Sequence, residues 1–210
     1  MTELGTRRIT RRKVLVTAGA LGALGALATP VVALAHDSDD EENHRYRWDI
    51  INVDFSTGTL TAGGVASARA NDNSKITLTG MGTFRANSGD SQDVTGGGTW
   101  KTSDKNGNAT GNGSYVVSRF VRFTLAPGTP PLPHDGIGVR ADERAGLAIL
   151  GIRFDDGSAG ALLVSCHLNG SPDSMFEGVT ATKGFVDYWN REAPPPPPGN
   201  ANRTNFHVLR

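Results

Sequence analysis

The 210-residue sequence predicts an all-β fold, an antiparallel eight-stranded up-and-down barrel with a two-sheet β-sandwich as the alternative. Three observations carry that prediction. First, Gly reaches 27 residues, roughly twice the average usage of about 7%. Abundant Gly, Thr, Ser and Asn with little Leu and Glu favour strands and tight turns over helices. Second, eight runs rich in Val, Ile, Thr, Phe and Tyr follow one another, most of them separated by Gly, Asn or Asp. Third, the form G-x-G-[ST]-aromatic occurs at Gly80–Phe84, Gly96–Trp100 and Gly111–Tyr115. Its spacing matches one strand plus one turn, as in a meander. The glycines allow sharp bending where strands coil, and the aromatic then packs.

In chain order, the first element is an address. Thr10-Arg11-Arg12-Lys13-Val14-Leu15 fits a twin-arginine export signal. An apolar Ala/Gly-rich run follows from Val14 to Val32, and Ala33-Leu34-Ala35 fits small-x-small cleavage after Ala35. The run is about long enough to span a bilayer, but Pro30 and the small residues favour a cleaved signal. The mature chain is then expected to be secreted or periplasmic, with membrane contact only during export.

Residues 1–35 contain five basic groups and one acid, Glu3, so the formally neutral chain leaves a mature part with 16 basic and 20 acidic groups, a charge of −4. That balance gives no electrostatic footprint for nucleic acid. Residues 36–47 read as an acidic disordered segment around Asp37, Asp39, Asp40, Glu41 and Glu42. The flanking His36 and His44 allow loose cation binding there, against the default of a solubilising tail.

The domain is expected over 48–191. Its strands are Trp48–Phe55, Thr59–Ala68, Lys75–Arg85, Gly97–Thr102, Gly113–Leu125, Gly146–Phe154, Gly160–Leu168 and Phe176–Tyr188. Asn106-Gly107 and Asp156-Gly157 supply the positive φ that primed hairpin turns require. Asp104, Asn106 and Asn108 mimic the start of a calcium loop. Ala109 replaces its glycine and Tyr115 its final glutamate, so a hairpin turn explains them better. Residues 192–210 read as a Pro-rich tail, with Pro194–Pro198 as an extended spacer and Phe206 and Val208 available to dock back.

Few residues suggest chemistry. There is no Gly-rich phosphate loop, C-x-x-C or haem attachment motif, so no cofactor and no metal is expected. Cys166 and His167 are sequence neighbours and point to opposite faces of a strand, which excludes a thiolate–imidazole pair. Cys166 has apolar face-mates Leu162, Val164 and Leu168 and is expected to be buried and inert. Glu177 and Asp187 are ten residues apart, roughly 33 Å on a straight strand, too far for an acid–base pair. The longest irregular stretch, Ala126–Arg144, has four prolines followed by a polar half. Long ordered loops often form lids or binding loops. The candidate ligand-binding residues are therefore His134, Asp135, Arg140 and Arg144, with His167 if it faces inward, at the mouth of the barrel.

Val164-Ser-Cys-His-Leu168, Pro172-Asp-Ser174 and Phe176-Glu-Gly-Val-Thr-Ala-Thr-Lys-Gly-Phe-Val-Asp-Tyr-Trp189 resemble an uncharacterised family of exported bacterial proteins. The Gly-aromatic meander and Phe176–Val179 are loosely similar to the eight-stranded barrels of the allene oxide cyclase and dirigent type. No catalytic motif of that group matches here, and fold alone does not fix function. The sequence thus points first to a non-catalytic binding or interaction domain for an unknown small molecule or protein. The alternative is a cyclase- or isomerase-like enzyme acting on an apolar molecule in the barrel lumen.

Overall fold

The computed structural model describes residues 44–86 and 91–210. The twin-arginine segment, the cleavage site after Ala35 and residues 36–43 of the expected disordered segment lie outside the described residues, whereas its last residues, 45–47, are ordered as the start of the first strand. The strands are β1 (Arg45–Asp54), β2 (Thr59–Ala62), β3 (Ala66–Arg69), β4 (Lys75–Leu78), β5 (Met81–Arg85), β6 (Val94–Ser103) and β7 (Ala109–Ala126). They continue as β8 (His134–Asp135), β9 (Glu143–Phe154), β10 (Ala159–Cys166), β11 (Gly178–Lys183), β12 (Val186–Tyr188), β13 (Asn190–Arg191) and β14 (Thr204–Leu209). A 3₁₀ turn at Arg140–Asp142 precedes β9.

Six of these close a barrel. β1 pairs with β5, β5 with β6, β6 with β7, β7 with β9, β9 with β14, and β14 with β1, all antiparallel. The ring follows chain order, so an up-and-down meander does build the wall. The closed ring has six strands rather than the eight expected, and the other eight lie outside it.

The difference in number has a local cause. Every expected strand exists, but three are split. Thr59–Ala68 breaks at Gly63-Gly64, so β2 pairs with β1 and β3 with β4. A side chain at Gly64 would start 2.0 Å from the Ile51 carbonyl oxygen, so only glycine fits that crossing. Lys75–Arg85 breaks after Leu78, yet both halves keep one register along β6, from Lys75 opposite Ser103 to Phe84 opposite Val94. Phe176–Tyr188 becomes the β11–β12 hairpin, which turns at Gly184 with φ +59°.

Residues 192–210 are more than a spacer. After the prolines, β14 pairs with β1 from Ile50↔Thr204 to Arg45↔Leu209 and completes the ring. The barrel interior is filled with side chains. Tyr46, Trp48, Phe84 and Phe206 are fully buried, and Phe120 and Phe123 pack on them with ring centroids 4.6–5.1 Å apart. The repeat aromatics Phe84, Trp100 and Tyr115 all join this core. At Gly82 a Cβ would lie 2.8 Å from Trp48 Nε1, so the missing side chain is what lets the indole lie against the wall.

Candidate functional site

On β1 and β14 the alternation of side chains separates two environments. Tyr46, Trp48, Ile50, Phe206 and Val208 enter the barrel core. Ile51 and Val53 form a second cluster with Leu60, and Phe55, Leu132 and Ile137 pack against it. Leu132 and Ile137 come from Ala126–Arg144, so this loop covers the outer face of the wall.

The loop is tied down along its length. Thr129 and Asn169 exchange backbone hydrogen bonds, and Ser171 Oγ donates to the Pro127 carbonyl at 2.8 Å. β8 runs parallel to β2, pairing His134 with Thr59 and Asp135 with Leu60. Arg140 donates from Nε to the Leu132 carbonyl at 2.6 Å and from Nη2 to the Pro130 carbonyl at 2.7 Å. Arg144 Nη1 donates to the carbonyls of Ala141 and Glu143, each at 2.9 Å. Both arginines therefore brace the loop, and both also border a cleft of about 610 Å³ that Glu143 shares. The His134 side chain is exposed, and its residue serves the site only through the strand it pairs.

Beneath the loop lies a smaller pocket of about 80 Å³. Ile51, Val53, Leu60, Leu132 and Leu168 supply apolar walls, and Glu143, His167, Glu177, Arg203 and Asn205 supply polar groups. Of the expected residues, His167 is the one that lines this pocket. The cavity sits on the outer side of β1 and β14 rather than at a lumen mouth, because aromatic rings occupy the interior.

Glu177 is the most perturbed group there. Its Oε2 accepts the His167 backbone N–H at 2.5 Å and its Oε1 accepts that of Thr204 at 2.6 Å. Burial nevertheless pushes its carboxyl up to about 8, outweighing those two donors and the nearby Arg203. Arg203 holds the Pro195 carbonyl through Nη2 at 3.0 Å and lies over the Phe55 ring, while its Nε is buried without a hydrogen bond.

Next to the pocket, Asp135, Glu143 and His207 converge from β8, β9 and β14. One donor atom from each lies within 4.8 Å of the other two. His207 stands opposite Glu143 in the β14–β9 register, which puts both side chains on one face. His207 Nε2 is 2.7 Å from Asp135 Oδ2, and Asp135 Oδ1 accepts the N–H groups of Ile137 and Gly138 at 2.8 and 3.0 Å. Burial opposes the Asp135 charge, but these donors outweigh it and hold its carboxyl below the usual range. Glu143 is pushed up, chiefly by burial and further by the Asp135 charge.

Sequence reasoning found the loop, Asp135 and His167 but missed Glu177, Arg203 and His207 as site residues. Along the chain, strand spacing relates Glu177 only to Asp187. Arg203 and His207 lie beyond the proline run, in a stretch that carries a ring strand. The alternation Asn205–Phe206–His207–Val208 was the available signal: apolar residues at every second position mark a strand with one face in the core.

Cys166 is buried and unpaired, as expected. Burial raises its thiol well above the ordinary value, and the Glu177 and Glu143 charges add to that. Compared with family models, curated proteins and solved structures, the chain has no match.

Proposed function

We propose that this protein is an exported, non-catalytic β-barrel that binds a small molecule in the outer pocket beneath Ala126–Arg144. The carrying observation is the pocket itself, apolar on its walls with a few converging polar groups, the usual character of a ligand site. A volume of about 80 Å³ is about half that of a protein cavity known to hold benzene, roughly 150 Å³. It suits one end of a small molecule. The buried Arg203 Nε lacks an acceptor, and Glu177 still carries its proton at neutral pH. Together they favour a carbonyl or carboxylate oxygen at that end, with a short apolar chain against Leu60 and Leu132.

Export through the twin-arginine route belongs to this reading, supported by Arg11-Arg12 and Ala33-Leu34-Ala35. The eight-stranded reading extends the wall from β9 through β10 and β11; support comes from Leu162, Val164, Val179 and Ala181, which join the same core.

One observation favours an enzyme of the isomerase kind instead: a carboxyl titrating near 8 in an apolar pocket is suited to proton transfer near neutral pH. Such an enzyme would work in the outer pocket rather than in a lumen. Titration of the mature protein with short-chain carboxylates and ketones, followed by calorimetry, tests binding. Leu132→Trp, which fills the pocket, is expected to abolish it; undiminished binding by that variant would refute the site. Turnover of a bound ketone that Glu177→Gln removes while binding persists would replace the binding reading with the enzymatic one.

A further inference from the structure

We infer that Asp135, Glu143 and His207 form a binding site for a divalent first-row transition cation, with zinc as the probe ion. The inference goes beyond the ligand pocket and does not depend on it, although Glu143 borders both.

The geometry comes first. The neighbouring β8 and β9 and the distant β14 deliver two carboxylates and one imidazole to one spot, with their donor atoms within 4.8 Å of one another. His207 Nε2 and Asp135 Oδ2 are already 2.7 Å apart. Two ligands of one ion, each bonded at about 2.0–2.2 Å, are separated by roughly 3 Å. A small opening of that pair, with Glu143 drawn in, would give a three-ligand site.

The second observation is unmet bonding. Glu143 and His207 are 3% and 2% exposed. Glu143 Oε1 and His207 Nδ1 have no hydrogen-bond partner. Buried polar atoms without partners are costly and call for an explanation. A cation would engage the Glu143 oxygen. Binding through Nε2 would leave His207 Nδ1 protonated and free to take a water, whereas binding through Nδ1 would satisfy it directly.

Charge completes the case. Two carboxylates stand together here, with ligand atoms within 4.8 Å of each other. The nearby cations are committed elsewhere: Arg47 forms a two-point pair with Asp49 at 2.7 and 2.8 Å, and Arg140 braces loop carbonyls. A divalent ion would neutralise both carboxylates at once. An imidazole with two carboxylates suits zinc, manganese or iron(II) better than magnesium or calcium, which prefer all-oxygen shells. Asp135 is further oriented by the Ile137 and Gly138 N–H groups, the kind of outer support that ligating carboxylates have.

The test is calorimetric titration of the chelator-treated, exported full-length mature protein with Zn²⁺. One ion per chain at micromolar affinity or tighter is expected, with a raised Tm. Glu143→Gln, nearly isosteric, and His207→Gln are each expected to weaken zinc at least about tenfold. Asp187→Asn, exposed on β12 and outside both sites, is expected to leave it unchanged. Because residues 36–44 are the same in every variant, zinc held by that acidic segment would survive all three substitutions, and equal affinity in Glu143→Gln and wild type would overturn the site. Should a variant lose its far-UV circular dichroism spectrum, the wild type decides: ¹⁵N NMR of the His207 ring is expected to shift on zinc addition, and an unmoved ring would overturn the proposal.

Discussion

The two faces of β1 and β14 differ as sharply as any two parts of this molecule. Inward, Tyr46, Trp48, Ile50, Phe206 and Val208 join an aromatic core without a charged group among them. Outward, within the same strands, stand Arg47, Asp49, Ile51 and Val53, then Asn205 and His207. Asp49 and His207 are as deeply buried as the aromatic residues. Burial alone therefore does not separate a core from a site. The inner face is satisfied by dispersion and area; the outer face holds polar atoms that need partners, and the loop Ala126–Arg144 supplies some of them and leaves others open.

Truncation should show the contrast most strongly. Phe206→Ala removes a fully buried ring from the aromatic cluster, and a loss of about 3–5 kcal/mol in denaturant unfolding is expected. A loss under 1 kcal/mol would mean that the inner face is not the stabilising one.

The outer face should declare itself through pH. An unfolded glutamate titrates at 4.5 and Glu177 in the folded chain at about 8, so the folded state binds the proton more tightly. Stability contributed by that proton is full below 4.5, declines as pH rises towards 8, and changes no further above it. The pocket leaves the carboxyl partly in water, so a discounted decline of roughly 2–4 kcal/mol is expected. Glu177→Gln should remove this slope and be the more stable protein at pH 9. A wild-type profile flat between pH 5 and 8 would contradict the assignment.

Asp135 works in the opposite sense, since its carboxyl is held below the usual range. Its contribution is present above the unfolded pKa and lost as pH falls through the folded one. Asp135→Asn keeps the shape but weakens the hold on His207, Ile137 and Gly138. About 1–3 kcal/mol should be lost at neutral pH, with less lost at pH 3. An equal loss at both pH values would show that charge is not what matters.

The smallest effect concerns Cys166, enclosed by the core and unpaired. Thiol-reagent labelling should be negligible in the native protein and complete in denaturant. Fast native labelling at neutral pH would show that the wall opens there.

The barrel was legible because its signals are periodic. All eight expected runs contain strands, but the turns at Asn106-Gly107 and Asp156-Gly157 are not of the primed type expected: Gly107 and Gly157, at φ +90° and +87°, follow the central turn residues, and neither Asn106 nor Asp156 has a positive φ. Strand number was not legible, since Gly64 and Gly184 end strands inside runs whose side chains remain strand-like throughout. The site was half legible. Prolines and a polar cluster marked the loop, and with it Asp135. His207 and Arg203 are set by long-range pairing across the ring closure, from Ile50↔Thr204 to Arg45↔Leu209. Nothing local in Asn202–Leu209 reveals which carboxylates it will meet. Charge marks Arg140 and Arg144 in the sequence, and in the fold both hold carbonyls of their own loop.

The claim that the ligand site lies outside the barrel wall can be mapped directly. Backbone ¹H–¹⁵N NMR of the mature protein, titrated with a short-chain carboxylate, should shift His167, Arg203, Thr204 and Asn205 and leave Phe84 and Phe120 unmoved. Shifts centred on Phe84, Phe120 and their core neighbours, with the pocket residues unmoved, would place the ligand inside the barrel and contradict the account.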